Sequence, residues 1–203
     1  SMAIKLLGKP AVIIAAVMLM CYISLESTMN TWIKPLMAES FNEGGNSNFL
    51  MHAGFVLSLF GVCMMLGRFI SSAIKDLTQI GVKVIAAASL ISVLAIILMI
   101  LTRNHLAAVF AVVVLGFAFA PIFPVIVGVT FARFEENLYG SIFGIIFSIG
   151  LLGGTFIPQY VGCLAKNRTI QQSLWIAVVM AGLLFLLTLG MGKLQNKDKT
   201  TTR

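Results

Sequence analysis

Six long apolar segments dominate the pattern of hydrophobic and polar positions along the chain. Each is close to, or longer than, the ~20 residues that a helix needs to cross the hydrocarbon layer of a bilayer. They are continuously apolar rather than alternating, which favours helices over the strands of a membrane barrel. They cover about residues 11–37, 49–74, 82–101, 106–131, 139–164 and 174–191. The pattern predicts an all-α membrane protein with one six-helix domain over residues 1–203, and a flexible polar loop over residues 38–48.

The composition excludes the soluble classes of protein. Of 203 residues, 59% are hydrophobic and only 10% are charged, whereas globular proteins average roughly 45–50% apolar and about 25% charged residues. So few charged side chains cannot coat a soluble domain of this size. Soluble enzymes, nucleic-acid-binding domains and disordered proteins are therefore excluded, and the lipid bilayer is an expected partner.

The net charge of +7 indicates an orientation in the membrane. Cytoplasmic loops carry an excess of Lys and Arg. In this chain nine basic residues fall on one side of the predicted spans, at positions 5, 9, 75, 83, 133, 193, 197, 199 and 203, and four fall on the other, at positions 34, 103, 166 and 168. We expect a multi-pass protein of the plasma (inner) membrane with both termini in the cytoplasm.

Glu26 is the most informative position, because it lies well inside the first apolar segment. A carboxylate at the centre of a bilayer costs roughly 2.5–3.5 kcal/mol on insertion scales, so such residues face the protein interior or a water-filled cavity. The functional interpretation is a solute hydrogen-bond acceptor or a proton or sodium site. The structural alternative is a neutral Glu hydrogen-bonded to a neighbouring helix.

Side chains near Glu26 supply the chemistry that sugars require. At helical spacing, Tyr22 and Asn30 share its face, and Trp32 follows towards the outer interface. These residues offer a hydroxyl, a carboxylate, an amide and an aromatic ring, which makes all four candidates for solute binding. The alternative for Trp32 is an interfacial anchor.

The stretch around Glu26 resembles a known family. YISLESTMNTWI is similar to the seventh span of major facilitator transporters of the fucose permease and sugar:proton symporter branch. In that branch a Tyr, a Glu four residues later and a Trp six beyond recur, as Tyr22, Glu26 and Trp32 do here. The branch usually has glycines between the Glu and the Trp, where this chain has Met29 and Asn30. The resemblance implies a solute cavity with a more polar and less flexible wall.

The fourth segment contains two prolines, Pro121 and Pro124. Proline cannot donate a backbone hydrogen bond, so the pair predicts a kink near the middle of the helix. Its APIFP sequence is similar to the tenth span of the same branch. The functional interpretation is a gating hinge with Phe119 and Phe123 in the cavity wall, and the alternative is a static packing kink.

The second segment ends in LGRFISSAIKD, which resembles the end of the eighth span of the branch. Arg68 and Asp76 are candidates for an inner-gate charge network, although the loop signature of the superfamily is degenerate here. The alternative for Arg68 is snorkelling to the interface.

The fifth segment is rich in glycine and is similar to the eleventh span of the branch. Two pairs, Gly140/Gly144 and Gly150/Gly154, have the small-xxx-small spacing that permits close helix packing. Gln159, near its outer end, is a further candidate for solute contact, together with Tyr160.

The resemblance covers about residues 10–192 and implies the C-terminal half of a twelve-span transporter, with six helices arranged as two inverted three-helix repeats. The expected function is secondary transport of a small polar solute, a sugar above all, with proton or sodium coupling. The expected partners are a small-molecule substrate and either an N-terminal half or a second copy of the chain. The alternative is a non-transporting six-span assembly or sensor protein. No phosphate-binding loop or hydrolase motif is present, so we expect neither an enzyme nor a cofactor or metal.

Overall fold

The computed structural model describes residues 8–41, 47–73 and 80–201, with the side chains of residues 47–50 and 193–201 left undescribed. Within these ranges the chain is helical and contains no strand. The helices are α1 (Pro10–Phe41), α2 (Ser47–Ala73), α3 (Gly81–Leu101), α4 (His105–Phe119), α5 (Ile122–Phe131), α6 (Tyr139–Ala165), α7 (Ile170–Ser173) and α8 (Trp175–Thr201), with a short 3-10 turn at Glu136–Leu138.

Six segments of the described chain are long and apolar enough to cross a membrane. They are Pro10–Phe41, Met51–Ala73, Gly81–Leu101, His105–Phe131, Glu136–Ala165 and Ile170–Gly192. The prediction of an all-α protein with six spanning helices is confirmed, and the chain is a multi-pass membrane protein.

The first helix, α1, is the centre of the bundle. Its most extensive contact is with α6, and it also packs against α8, α2 and α5. Large side chains are fully buried along its whole length, from Met18 and Tyr22 to Met37. Because it is enclosed by other helices, α1 can carry polar side chains that a lipid-facing helix could not.

Glycines of α6 bring its backbone against α1. A Cβ atom added to Gly150 would lie 2.7 Å from Ile23 Cδ1, and one added to Gly154 would lie 2.6 Å from Ile23 Cγ2. The close packing expected for this pair is therefore confirmed. For Gly140 and Gly144 the expectation is wrong within the described chain, since an added Cβ would meet no atom within 4 Å. These two glycines are exposed, whereas Ile142 and Ile146 on the same stretch of α6 are fully buried, so the glycines lie on the face of the helix turned away from the core.

The fourth span is broken, as its two prolines predict. Helix α4 ends at Phe119 and α5 begins at Ile122, with Ala120 and Pro121 between them. Pro121 lacks the N–H that would continue the α4 ladder, and Pro124 lacks one in the first turn of α5.

The C-terminal end of α1 differs from the predicted loop over residues 38–48. The helix continues through Phe41, and residues 42–46 lie outside the described ranges. Its last turn is held by tertiary contacts, because both Glu39 carboxylate oxygens accept from the Ile170 backbone N–H, at 3.2 and 3.0 Å. Gln171 Nε2 also donates to Ser40 Oγ at 3.1 Å.

Candidate functional site

An ion pair lies within the membrane-spanning part of the bundle, between α1 and α2. Arg68 Nη2 donates to Glu26 Oε1 at 3.2 Å and to Tyr22 Oη at 3.2 Å. Tyr22 and Glu26 are four residues apart on α1 and share one face, while Arg68 comes from the last two turns of α2. The three side chains form what we call the charged centre.

The depth of the charged centre follows from helix geometry. Glu26 lies 16 residues beyond Pro10 on α1, about 24 Å along the axis of a helix that rises 1.5 Å per residue. A hydrocarbon layer is ~30 Å thick. Glu26, near the middle of α1, therefore lies inside this layer and not in the water on either side. Both charges are compensated by each other, which lowers the cost of holding them within the membrane.

The charged centre is only partly covered by this chain. Tyr22 is fully buried, whereas 26% of the Glu26 side chain and 46% of the Arg68 side chain are exposed. Ionisable side chains within membrane spans face the bundle interior or water rather than lipid, and Arg68, five residues before the end of α2, lies where its long side chain can also reach the interface. The open side of the pair therefore borders water or further protein.

The ring of Tyr22 links the charged centre to the broken span. Its centroid lies 5.9 Å from that of Phe119 in an edge-on contact and 6.3 Å from that of Phe123. These two phenylalanines flank the break at Pro121. The two phenylalanines predicted to form the cavity wall thus meet at Tyr22, one turn from Glu26.

A groove of about 630 Å³ runs between α1 and α6, on the C-terminal side of the charged centre along α1. Asn30 and Trp32 line it together with residues of α6, including Gln159. Trp32 Nε1 donates to the backbone oxygen of Pro158 at 3.1 Å, and Asn30 Nδ2 donates to the backbone oxygen of Glu26 at 2.9 Å. Trp32 is therefore bonded to a neighbouring helix as well as lying near the predicted interface.

The sequence candidates thus fall into two adjacent groups rather than one cavity. Tyr22 and Glu26 belong to the charged centre, and Asn30 and Trp32 belong to the groove. Arg68, which the sequence grouped with an inner gate, contacts Glu26, and Asp76 lies outside the described residues.

Sequence reasoning missed the pairing of Arg68 with Glu26. A usable signal was present, because Arg68 is the only arginine within the predicted spans and Glu26 is the acid committed to the interior. Tyr160, considered with Gln159, is exposed but is not among the residues that line the groove.

The comparisons with known proteins add no relative. No protein-family model matches the sequence, and no curated protein matches it significantly.

Proposed function

We propose that this protein is a secondary active transporter, or the C-terminal half of one, that moves a small polar solute by alternating access. The solute is a sugar, and transport is coupled to protons or sodium ions. The observation that carries the proposal is the ion pair between Glu26 and Arg68, placed within the membrane and bonded to Tyr22 against the broken span.

The energetics of the charged centre favour a functional role. An ion pair is a weak source of stability whether it is exposed or buried. Ionisable residues inside a membrane mark solute and ion pathways. In the proposed cycle a proton or sodium ion binds Glu26 and competes with Arg68. When Arg68 is released, the Tyr22 hydroxyl loses its hydrogen bond and the Tyr22 ring can move. Because this ring contacts Phe119 and Phe123, its movement shifts both halves of the broken span.

The contacts among the spans support two inverted three-helix repeats. The first span packs against the fifth and sixth, and the fourth packs against the second and third. The third also packs against the sixth, and the first against the fourth. Exchanging spans one to three with spans four to six converts this set of contacts into itself. Such a relation is typical of repeats in the major facilitator transporters that the sequence resembles.

The open side of the charged centre supports a second six-span unit as the partner. We propose an N-terminal half or a second copy of this chain, related by an axis along the membrane normal. With both termini in the cytoplasm, two such units run in parallel. Light scattering in detergent separates the two cases, since a second copy doubles the protein mass of the particle.

Ion-driven uptake tests the proposed function. The chain is expressed in cells, together with its partner unit where that unit is a separate chain, and an inward proton or sodium gradient is imposed on right-side-out vesicles prepared from them. We expect radiolabelled sugar to accumulate above its external concentration, and an ionophore that collapses the gradient to abolish the accumulation. If no gradient drives uptake beyond that of vector-control vesicles, the non-transporting assembly or sensor protein is the better account.

A further inference from the structure

The groove between α1 and α6 is chemically different from the charged centre beside it. Among the described residues that line the groove, none is charged. Resting on the proposed function, we propose that this groove binds the transported solute, a neutral hydroxyl-rich ring compound, and that Gln159 determines its specificity. Glu26 and Arg68 are then left to bind the coupling ion.

The base of the groove is a tryptophan held in a fixed position. The hydrogen bond from Trp32 Nε1 to the Pro158 backbone oxygen orients the indole across the helix interface. A Cβ added to Gly162 would lie 3.1 Å from Trp32 Cζ2, so the glycine leaves room for the ring in this orientation. A fixed indole offers an apolar surface on which the C–H face of a sugar ring can pack.

The walls of the groove present hydrogen-bond acceptors from both helices. The hydroxyl groups of Thr31 and Thr155 donate to Ser27 O at 2.8 Å and to Leu151 O at 2.9 Å, within their own helices. Because each donor hydrogen is already used, the remaining lone pairs can only accept. Asn30 donates one amide hydrogen to its own helix and keeps its carbonyl oxygen as an acceptor.

Gln159 adds donors on α6 to the second amide hydrogen of Asn30 and the hydroxyl of Ser27 on α1. It is exposed in the groove and forms no hydrogen bond with any residue that the structure describes. Its amide therefore retains two donors and one acceptor. An amide without a partner inside a membrane span is costly unless water or a ligand meets it. A solute hydroxyl, which both donates and accepts, satisfies Gln159 and the acceptors opposite it.

The size and position of the groove fit this role. Its volume of about 630 Å³ lies within the roughly 300–1,000 Å³ of small-molecule sites. It begins at Ser27, the residue after Glu26, and the Asn30 amide is bonded to the Glu26 backbone oxygen. Solute and coupling ion would therefore occupy neighbouring sites on α1 without sharing a side chain.

Tryptophan fluorescence of the purified full chain tests the inference directly. The sequence has two tryptophans, so a W175F background leaves Trp32 as the sole reporter. The probes are D-glucose, D-galactose, L-fucose and maltose. We expect a saturable change in Trp32 emission with at least one of them. The Q159A variant should weaken that binding by about 5- to 150-fold, the effect of losing two hydrogen bonds between neutral groups. A T155V variant should weaken it less, by about 2- to 12-fold for a single bond.

The matched control is Q172A, because Gln172 is an exposed glutamine of α7 that does not line the groove. It should bind the same probe as tightly as the parent. Absence of saturable binding with all four probes would overturn the inference, as would equal affinity in Q159A and Q172A. These outcomes can be distinguished from a failure of the proposed function. If another solute is taken up with the ion gradient but no saccharide binds, the transport function stands and the groove as a saccharide site is refuted. If a saccharide binds without ion-driven uptake, the groove stands as a binding site and the transport function is refuted.

Discussion

The close contact between α1 and α6 predicts how strongly Gly→Ala substitutions at two positions of α6 change the stability of the protein. An Ala side chain at position 153 would meet Ser24 Oγ and would lie 2.6 Å from Met20 Cγ and 2.7 Å from the Met20 backbone oxygen. The backbone oxygen cannot move without shifting α1. At position 144 an added Cβ would meet no described atom within 4 Å. Comparing Gly→Ala at these two positions therefore isolates the effect of packing on stability, because the effect of helix propensity is the same at both.

The magnitude follows from these two effects. Replacing Gly by Ala stabilises a helix by about 1 kcal/mol through propensity alone, and this gain applies at both positions. Overpacking at position 153 costs about 1–3 kcal/mol. The G153A variant should thus be about 1–3 kcal/mol less stable than G144A.

Thermal unfolding of both variants in one detergent, followed by loss of the monodisperse gel-filtration peak, measures the difference. For a chain of this length it corresponds to an apparent Tm lower by roughly 2–12 °C in G153A than in G144A. If G153A is as stable as G144A, the close approach of α6 to α1 described above is incorrect.

Two further substitutions test particular contacts. W32F removes the indole donor that bonds α6 and should cost about 0.5–1.5 kcal/mol, whereas W175F, at a position 44% exposed, should not change the apparent Tm; equal melting of the two would contradict the bond. P121A restores a backbone N–H at the break in the fourth span, so we expect retained or higher thermal stability together with slower ion-driven uptake, and unchanged uptake would show that the break is only a packing kink.

Local features of the fold could be read from the sequence. An uninterrupted apolar segment of about 20 residues is sufficient to predict a spanning helix, and six such segments became six helices. The break between α4 and α5 was also predictable, because the missing N–H of a proline is a property of that residue wherever the helix lies.

Features that depend on tertiary packing were not predictable in the same way. Arg68 and Glu26 are 42 positions apart, and their pairing depends on how α2 lies against α1. The two glycine pairs of α6 have the same spacing, yet only Gly150 and Gly154 approach α1, because which face of a helix meets a neighbour at each level is set by the bundle.

The C-terminal end of α1 shows the same limit. Glu39 and Ser40 begin a polar stretch that suggests a loop, but contacts with α7 hold them in the helix. The division of the candidates into a charged centre and a groove likewise required the positions of α2 and α6.

The central claim is that Glu26 couples ion movement to solute transport, and the E26Q variant tests it most directly. Two rates are measured in the same vesicles: uphill sugar accumulation driven by an ion gradient, and exchange of labelled for unlabelled sugar at equal concentrations without a gradient. The glutamine keeps the size of Glu26 and a hydrogen bond to Arg68 but carries no charge to attract a proton or sodium ion. We predict that E26Q loses uphill accumulation and retains exchange. Uphill accumulation in E26Q equal to that of the parent protein would contradict the role of Glu26.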